Sequence, residues 1–321
     1  MYSFYISQNG SIDRFGNTLY FTGEGFKRHL PVMNVSEIII TAKVSLSSWA
    51  IDYLSRLGIL VHFINENGRY MSSIIPGASR EKGNITVSQA MAYADRNKRA
   101  EIAAEIVNGI KYNILRNMRY YNKNGSLKES IDSIRVLEPS GDNIEGILGI
   151  EGKIWSVYYS VFPQMFNLQG EFHRTYHPPS DPVNSMISYG NALLYSTTLS
   201  AILISGLNPS VSYLHAPSDR SFSLALDIAD IFKPVIVERV LAILINNRMM
   251  DKNMFESKNG GVYLNDTGRR KFLSVYRDKI ESVISYGNRK ISYATVIEQE
   301  CRNLASHVKG GGRYRAFRAE D

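Results

Sequence analysis

The spacing of apolar and polar residues changes along the chain, and the first 75 residues have the pattern of short strands. Runs rich in β-branched and aromatic residues recur there, among them YSFYIS, TLYFTG, SEIIITAKV and GILVHFI. Asn67-Gly68 is the clearest hairpin turn. One helix is predicted within SLSSWAIDYLSRLG, which has serines for an N-cap and Gly58 at its end. Residues 1–75 are therefore predicted to form a small N-terminal β domain of strands plus one short helix.

The rest of the chain has the pattern of helices. The segment IIPGASREKGNITVSQ is rich in Pro, Gly and charge, and it predicts a linker over residues 76–88. Beyond it, one buried helical stripe recurs at every fourth position: Ile102, Ile106, Ile110, Ile114 and Met118. Further helices are predicted over residues 127–136, 143–164, 183–205, 222–246, 266–282 and 290–308. The predicted fold class is α+β, with residues 89–321 as a larger all-α domain.

The chain ends in KGGGRYRAFRAED, which has the composition of a basic arm. Three glycines at 310–312 should uncouple it from the last predicted helix. Its arginines alternate with aromatic residues and alanines, so the arm could contact a polyanion or could be an ordinary frayed terminus. We expect a flexible basic tail over residues 309–321.

Charge and cysteine content narrow the class of protein. The 321 residues carry a formal net charge of +7, which favours polyanionic partners but is also common in proteins that bind no nucleic acid. Cys301 is the only cysteine, which excludes an intramolecular disulfide and a cysteine-based zinc site. No signal-peptide pattern and no long uninterrupted apolar stretch are present. These features predict a cytoplasmic protein that does not span a membrane.

A basic face is predicted on the helix that carries the isoleucine stripe. Arg116 and Arg119 lie on it together with other basic residues, interleaved with tyrosines such as Tyr112 and Tyr120. Such a face could follow a phosphate backbone and offer rings for stacking. The alternative is an ordinary solvated helix face.

The strongest chemical signal is a pair of aspartates in the apolar run LALDIADIF. Asp227 and Asp230 are three residues apart and share one helix face, and a loop upstream can fold His215 back over them. Carboxylates and an imidazole at one point suit a divalent cation such as Mg²⁺ or Mn²⁺. The alternatives are a helix-dipole role for the acids and a structural histidine. A third carboxylate could come from Glu145 or Glu151, and the pattern does not choose between them.

Several familiar catalytic motifs are absent. The chain has no GxxxxGK[ST] phosphate loop, no HExxH, no Gly-x-Ser-x-Gly elbow and no Cys/His zinc cluster. His173 and His177 have the spacing of helical metal ligands, but Pro178-Pro179 makes a helix there unfavourable. We expect a loop at this point, with Arg174 available to face a phosphate.

Three stretches in order resemble a known family over essentially the whole chain. They are ILGIEG, RTYHPPSDPVNSMISYGNALLY and GLNPSVSYLHAPSDRSFSLALDIADIFKPVIVERV. Together they are similar to the CRISPR-associated spacer-acquisition integrases of the Cas-one family. The resemblance implies an N-terminal β domain that dimerises and a helical catalytic domain. It further implies that Glu151, rather than Glu145, joins His215 and Asp230 as a metal ligand, with Asp227 as a supporting acid in the catalytic group.

The resemblance also implies an activity and partners. The family consists of metal-dependent DNA endonucleases and integrases that insert short DNA fragments into a CRISPR array by transesterification at the repeat ends. Its members work as homodimers on double-stranded DNA with a small Cas-two partner protein. Two other functions stay open from the residues alone: a non-catalytic nucleic-acid scaffold, and a metal-dependent phosphohydrolase of small nucleotides.

Two positions depart from the family pattern. Asp230 stands where relatives often have glutamate, and Asn191 stands where many have an aromatic residue. We expect DNA contacts from a set of five residues: Arg116, Arg119, Arg174, Asn191 and Tyr195.

Overall fold

The N-terminal region is built from two small sheets. The structure is a computed structural model, and it describes residues 2–77, 83–141, 143–217 and 222–320. The elements of this region are β1 (Ser3–Ile6), β2 (Gly10–Phe15), β3 (Thr18–Gly23), β4 (Phe26–Leu30), β5 (Glu37–Ile40), β6 (Val44–Leu46), α1 (Ser48–Arg56), β7 (Leu60–Ile64) and β8 (Tyr70–Ile74). One sheet has the order β1-β5-β7-β8 and the other β4-β3-β2-β6.

The central strands of the first sheet, β5 and β7, are buried on both faces, which explains their continuous apolar sequences. β1, β5 and β7 are parallel and β8 is antiparallel. Ile38 and Ile40 face the core of the N-terminal region, whereas Ile39 and Leu60 pack into the larger helical core. A strand covered on both sides loses the alternation of apolar and polar residues that a half-exposed strand shows.

The local signals in this region are confirmed. Helix α1 begins after Ser47, whose side chain accepts a hydrogen bond from the backbone of Ala50 at 3.3 Å. Gly58 follows the helix with a φ of +68°, and Gly68 has a φ of +72° in the turn that joins β7 and β8. Both angles favour glycine because a Cβ atom crowds the backbone there.

The helical region follows, and the predicted fold class is confirmed. Its helices are α2 (Gly83–Ala94), α3 (Arg96–Tyr121), α4 (Lys128–Arg135), α5 (Ile144–Ser160), α6 (Phe162–Phe166), α7 (Pro182–Ile204), α8 (Ser223–Phe232), α9 (Val237–Asn246), α10 (Asp266–Glu281) and α11 (Tyr293–Val308). Two hairpins interrupt them, so this region is not strictly all-α as expected: β9 (Phe255–Lys258) with β10 (Gly261–Leu264), and β11 (Val283–Tyr286) with β12 (Arg289–Ser292).

Several predicted boundaries differ in the structure, among them the helix predicted over 143–164, which is two helices, α5 and α6. Residues 83–88, predicted as linker, form the first turns of α2, while residues 78–82 of that linker lie outside the described residues. The helix predicted over 222–246 is two helices, because Pro234 lies between α8 and α9 and cannot donate a backbone hydrogen bond.

Helix α7 forms the centre of the molecule. It packs against β5 and β7 on one side and α8, α9 and α11 on the others. Among the described residues it is the one helix long and apolar enough to cross a membrane, and 83% of its most apolar window is buried inside the fold. Its composition is therefore that of a core helix.

A buried polar cluster joins α7 to the first sheet. Glu37 is fully buried and accepts hydrogen bonds from Ser3 at 2.5 Å, Thr197 at 3.1 Å and Ser200 at 2.6 Å. His62 Nε2 lies 3.4 Å from the same carboxylate and 2.7 Å from the Ser200 hydroxyl. The two regions are thus connected by hydrogen bonds as well as by apolar packing.

The C-terminal tail is docked, so the expectation of a flexible basic arm is wrong. Tyr314, Ala316, Phe317 and Ala319 are buried, while Arg313, Arg315 and Arg318 between them are exposed. Gly310, with a φ of +87°, turns the chain back toward α3 and α11. The alternation of basic residues with alanines and aromatic rings is that of an extended segment with one buried side.

Candidate active site

One cavity of about 990 Å³ contains most of the predicted site residues. It lies between α5, the loop after α6, α7 and α8, and its lining includes Glu151, Trp155, Tyr159, Arg174, Tyr176, Asn191, His215, Asp230 and Lys233. Asp227, Tyr195, Arg116 and Arg119 are not among the lining residues of this cavity. Five of the nine predicted residues therefore line one cavity, and the other four do not.

Asp227 lies behind the cavity and holds the histidine loop. Its carboxylate is fully buried and accepts hydrogen bonds from the backbone nitrogens of Tyr213 at 2.7 Å, Leu214 at 3.0 Å and His215 at 3.0 Å. It also lies 2.8 Å from His215 Nδ1. Because Nδ1 faces Asp227, Nε2 is the ring nitrogen left for a ligand. This geometry suits the supporting role that the resemblance implies.

The charge state of His215 follows from the same contacts. Burial lowers the pKa of the imidazole, but the hydrogen bond to Asp227 and the charges of Asp227, Asp230 and Glu151 outweigh burial. The pKa is raised to about 9. In the absence of a cation the ring is therefore protonated at neutral pH, and it must lose a proton to coordinate a metal.

Glu151 and Asp230 supply two buried carboxylates. Burial raises the pKa of Glu151 to about 7, and the negative charge of Asp230 adds to the shift. The charges of His215 and Lys233 oppose it. Two acids that repel each other in a cavity are typical of a site that receives a cation.

Lys233 is a site residue that the sequence reasoning missed. Its ammonium group pairs with Asp230 Oδ1, and it lies 5.6 Å from the centre of the Trp155 ring. The signal was present in the sequence, because Lys233 follows Asp230 by three residues and such residues share a helix face.

The donor set fits a hard divalent cation, although the side chains form no ready cluster. Within the described ranges, no three His, Cys, Asp or Glu side chains are close enough together to hold a metal ion. The carboxylates of Glu151 and Asp230 and the imidazole of His215, which a third carboxylate orients, are nevertheless donors of the kind that Mg²⁺ and Mn²⁺ sites use. Burial and the charge of Asp230 raise the pKa of Glu151, and a bound cation would stabilise the ionised carboxylate against both.

Arg174 and Asn191 form another part of the cavity wall. The Arg174 guanidinium donates to Asn184 Oδ1 at 2.9 Å and to Ser188 Oγ at 3.1 Å, and it lies 4.4 Å from the centre of the Tyr176 ring. Asn191 Oδ1 is buried and has no hydrogen-bond partner among the residues that the structure describes. The wall therefore presents a fixed positive charge and a polar atom with unused bonding capacity.

Comparison with known proteins shows the family of this chain. A family model described as CRISPR associated protein Cas1 matches residues 4–278. A curated CRISPR-associated endonuclease Cas1 from Clostridium perfringens is 36% identical over 324 residues, which is 98% of each chain. The chain belongs to the Cas1 family.

Solved structures show the same fold. A Cas1 protein from Thermotoga maritima superimposes with a TM-score of 0.83 and 31% identity, covering 100% of both chains. A casposase bound to integration product reaches 0.84 at 21% identity, with 98% and 93% of the two chains covered. A Cas6-RT-Cas1–Cas2 complex reaches 0.85 at 17% identity, with 100% of this chain and 36% of that chain covered. The last two show the Cas1 fold alone.

Tyr195 has a structural place in this Cas1 chain, away from the cavity. It is buried, and its hydroxyl accepts a hydrogen bond from the backbone nitrogen of Phe222 at 3.0 Å. Its ring meets Tyr70 of β8 edge-on at 4.9 Å between centres. Tyr195 therefore fixes the residue before α8, and a direct DNA contact by this side chain needs an exposure that the fold does not provide.

Arg116 and Arg119 lie on α3, outside the cavity. Arg119 is exposed and Arg116 is half-buried. Part of the predicted basic face is used within the fold, since Lys111 is buried and donates to the carbonyl of Leu137 at 2.6 Å and to Glu138 at 2.9 Å. The two arginines stay predicted backbone contacts at a distance from the reacting centre.

Glu238 is a buried acid near the cavity residues Lys233 and Arg174, and no signal in the sequence placed it there. It is buried at the start of α9, and burial raises its pKa to about 8. The hydroxyl of Tyr158 and the charges of Lys233 and Arg174 oppose that shift. Its sequence context, VIVERV, has no motif that would distinguish it from a surface glutamate.

Proposed function

We propose that this Cas1-family protein is a metal-dependent DNA endonuclease and integrase. It inserts short DNA fragments, the spacers, into a CRISPR array by transesterification at the repeat ends, as part of CRISPR immunity. The observation that carries the proposal is the convergence of Glu151, His215 and Asp230 in one cavity that Arg174 flanks. The proposal is in line with the endonuclease names of the curated relatives.

In this mechanism the protein holds the reactants and places charge. Glu151, Asp230 and His215 Nε2 would hold Mg²⁺ or Mn²⁺, and Asp227 would fix the imidazole of His215 through Nδ1. The cation, when bound, supplies positive charge at the scissile phosphate and the leaving oxygen. Arg174, which lines the same cavity, would orient a non-bridging phosphate oxygen.

Proton transfer in the site follows from the shifted groups. His215, with its pKa raised to about 9, releases its proton when it becomes a ligand. Lys233 pairs with Asp230, and a cation held by Asp230 would take the place of that ammonium group. The attacking group is the 3′-hydroxyl of a fragment end, and water in its place would make the same site a nuclease.

The substrate and assembly form part of the proposal. Double-stranded DNA is the substrate, and Arg116, Arg119 and Asn191 are proposed contacts, of which the arginines would meet the backbone without regard to sequence. Two copies of the chain would pair through residues 1–75, and the pair would bind a Cas2 partner in the cytoplasm. A Cas1–Cas2 complex among the structural neighbours supports that partner.

The test is the joining of a short duplex to a repeat-containing plasmid in Mn²⁺. Glu151→Ala, His215→Ala and Asp230→Ala should each abolish joining, while gel shifts show that duplex binding survives. Glu145→Ala is the matched control, because Glu145 is exposed at the start of the same helix and should stay active. Full joining by Asp230→Ala would refute the metal site.

The same assays separate the two other functions. A non-catalytic scaffold would show no Mn²⁺-dependent rise in melting temperature. A phosphohydrolase of small nucleotides would cleave a chromogenic phosphodiester and leave duplex DNA untouched.

A further inference from the structure

The C-terminal segment, residues 313–320, lies along α3 and α11 and reaches the end of α8. Four of its residues are buried, at 3% exposure for Tyr314, 4% for Ala316, 4% for Phe317 and 2% for Ala319. None of the eight lines the candidate active site. We propose that the C-terminal segment is a positioning element, which holds the last turn of α8, with Asp230, in register against α3. The functional part of this inference rests on the proposed function.

The first contact is made by an aromatic ring. Phe317 stacks on Phe232, the last residue of α8, with 5.0 Å between ring centres and 10° between planes. Tyr286 and Tyr293 approach Phe317 from the other sides at 6.3 and 6.4 Å. Because buried aromatic pairs of this kind contribute more than their area alone, Phe317 fixes the end of α8 laterally.

The second contact runs through one buried amide. Asn113 of α3 donates through Nδ2 to the carbonyl of Ile231 at 2.9 Å and to that of Phe317 at 3.2 Å. Its Oδ1 accepts from the backbone nitrogen of Ala319 at 2.9 Å. The last carbonyls of a helix lack partners within the helix, so this amide satisfies one that α8 leaves open. Ile231 is the residue next to Asp230, which couples the segment to the site.

The surface of α3 is shaped to accept the segment. A Cβ atom at Gly109 would lie 2.7 Å from the Ala316 Cβ and 3.3 Å from the Phe317 carbonyl oxygen. Glu105 accepts from the backbone nitrogen of Ala316 at 3.2 Å and pairs with Arg318 at 3.1 Å. Exposed ion pairs contribute little, so the buried residues and the close approach at Gly109 determine the docking.

The location of these contacts distinguishes positioning from general stability. The other end of α8 is held by Tyr195 through Phe222, and Asp227 is held by the 213–215 backbone. The end that carries Asp230 depends on Asn113 and Phe317. Loss of the segment should therefore loosen the last turn of α8 before it affects the N-terminal sheets.

Hydrogen exchange measured by mass spectrometry on the full chain tests this directly. Phe317→Ala should raise exchange in peptides covering residues 223–232 by at least about tenfold and leave β5 and β7 unchanged. Arg315→Ala is the matched control, since Arg315 is an exposed residue of the same segment. Unchanged exchange in α8, or an equal rise in every region, would overturn the proposal.

A second pair of measurements links the segment to the site. A chain ending at Gly312 should bind Mn²⁺ at least about tenfold more weakly than the full chain, and a synthetic peptide of residues 313–320 should restore binding. If the shortened chain does not fold, Phe317→Leu, which keeps an apolar side chain, takes its place with an intermediate loss expected. Unaltered Mn²⁺ affinity in these variants contradicts positioning. If the unmodified protein binds no Mn²⁺, the proposed function fails, while the exchange experiment still decides the positioning role.

Discussion

Two buried carboxylate and imidazole groups occur in this molecule, and they differ in how completely their charge is satisfied. One is Glu37 with His62, between the first sheet and α7. The other is the cavity group, in which Asp227 contacts His215 while Glu151 and Asp230 lie in front. Both contain the residue types of a metal or proton-transfer site, so residue type alone does not distinguish them.

The Glu37 group is closed. Burial raises the pKa of Glu37, but hydrogen bonding with His62, its charge and the hydroxyls of Ser200 and Ser3 outweigh burial, and the pKa is lowered. The carboxylate is therefore a stable anion with hydrogen bonds at both oxygens. A fully satisfied polar cluster of this kind fixes a unique packing of two elements.

The cavity group is open. The pKa of Glu151 is raised to about 7, and its neighbour Asp230 is also an acid, so the site holds negative charge that the protein only partly balances. Lys233, which pairs with Asp230, and the protonated His215 supply two positive charges against the three carboxyl groups of Glu151, Asp227 and Asp230. Imbalance of this kind costs stability and is found where a ligand completes the charge. The contrast indicates that Glu37 has a structural role and Glu151 a functional one.

The sharpest test of this contrast replaces each glutamate by glutamine. Glu37→Gln should lower the free energy of unfolding by about 3–5 kcal/mol, because it removes one partner of a buried charged network. Glu151→Gln should leave the unfolding free energy unchanged or raise it, and yet abolish joining. Urea unfolding of both variants with EDTA present measures the difference. A large loss in Glu151→Gln, or none in Glu37→Gln, would reverse the assignment.

The pH dependence of stability should separate the pair further. The folded pKa of Glu151, about 7, lies above the unfolded value, so the folded state retains a proton that the unfolded state has lost. In the metal-free protein, the contribution of Glu151 to stability should therefore fall by about 2–3 kcal/mol as pH rises from 5 to 8. His215, with a folded pKa of about 9, contributes stability that is complete below its unfolded pKa and is lost as pH rises through 9.

Comparison of the wild type with Glu151→Gln isolates the glutamate's share of this dependence. The variant should gain relative stability as pH rises, measured by urea unfolding at pH 5, 6.5 and 8. The lowered pKa of Glu37 acts in the opposite sense, with stability present above its unfolded pKa and lost on acidification. A difference between the two proteins that stays flat with pH would contradict the shift at Glu151.

Cation binding should also distinguish the cavity group from the Glu37 group. Mn²⁺ at a hundred times its dissociation constant should stabilise the fold by about 2.7 kcal/mol, seen as a rise in Tm. Asp230→Asn should lose that rise, whereas Glu145→Ala should keep it. An equal rise in Asp230→Asn would place the cation elsewhere.

The sequence was informative where a signal is local. The N-cap at Ser47, the glycine turn at Gly68 and the apolar stripe of α3 each depend on neighbours a few residues away, and all three are confirmed. Other local signals were present but passed over. Asn259-Gly260, both with positive φ, forms the β9–β10 turn, and Pro234 separates α8 from α9.

What the sequence could not supply depends on distant partners. The burial of the tail depends on Gly109 and Asn113, about two hundred residues earlier in the chain. The local sequence of the tail shows neither contact, and its glycines and arginines alone predict a flexible arm. The pattern placed Asp227 and Asp230 on one face, but only the fold shows that one meets the His215 loop and the other the cavity. The choice of Glu151 over Glu145 needed the family resemblance, and metal binding by these residues stays a prediction.

A smaller difference in unfolding free energy is expected between substitutions of two polar side chains on α7. Ser200 donates to Glu37 and contacts His62, so Ser200→Ala should cost about 1.5–3 kcal/mol as a hydrogen bond to a charged group is lost. Asn191 lines the cavity, and its Oδ1 has no hydrogen-bond partner within the described ranges, so Asn191→Ala should change the unfolding free energy by less than about 0.5 kcal/mol. Urea unfolding of the two variants at pH 7 measures the difference. Equal losses of unfolding free energy would mean that the polar groups of the cavity wall are as fully hydrogen-bonded as those around Glu37. The distinction between a structural and a functional group would then fail.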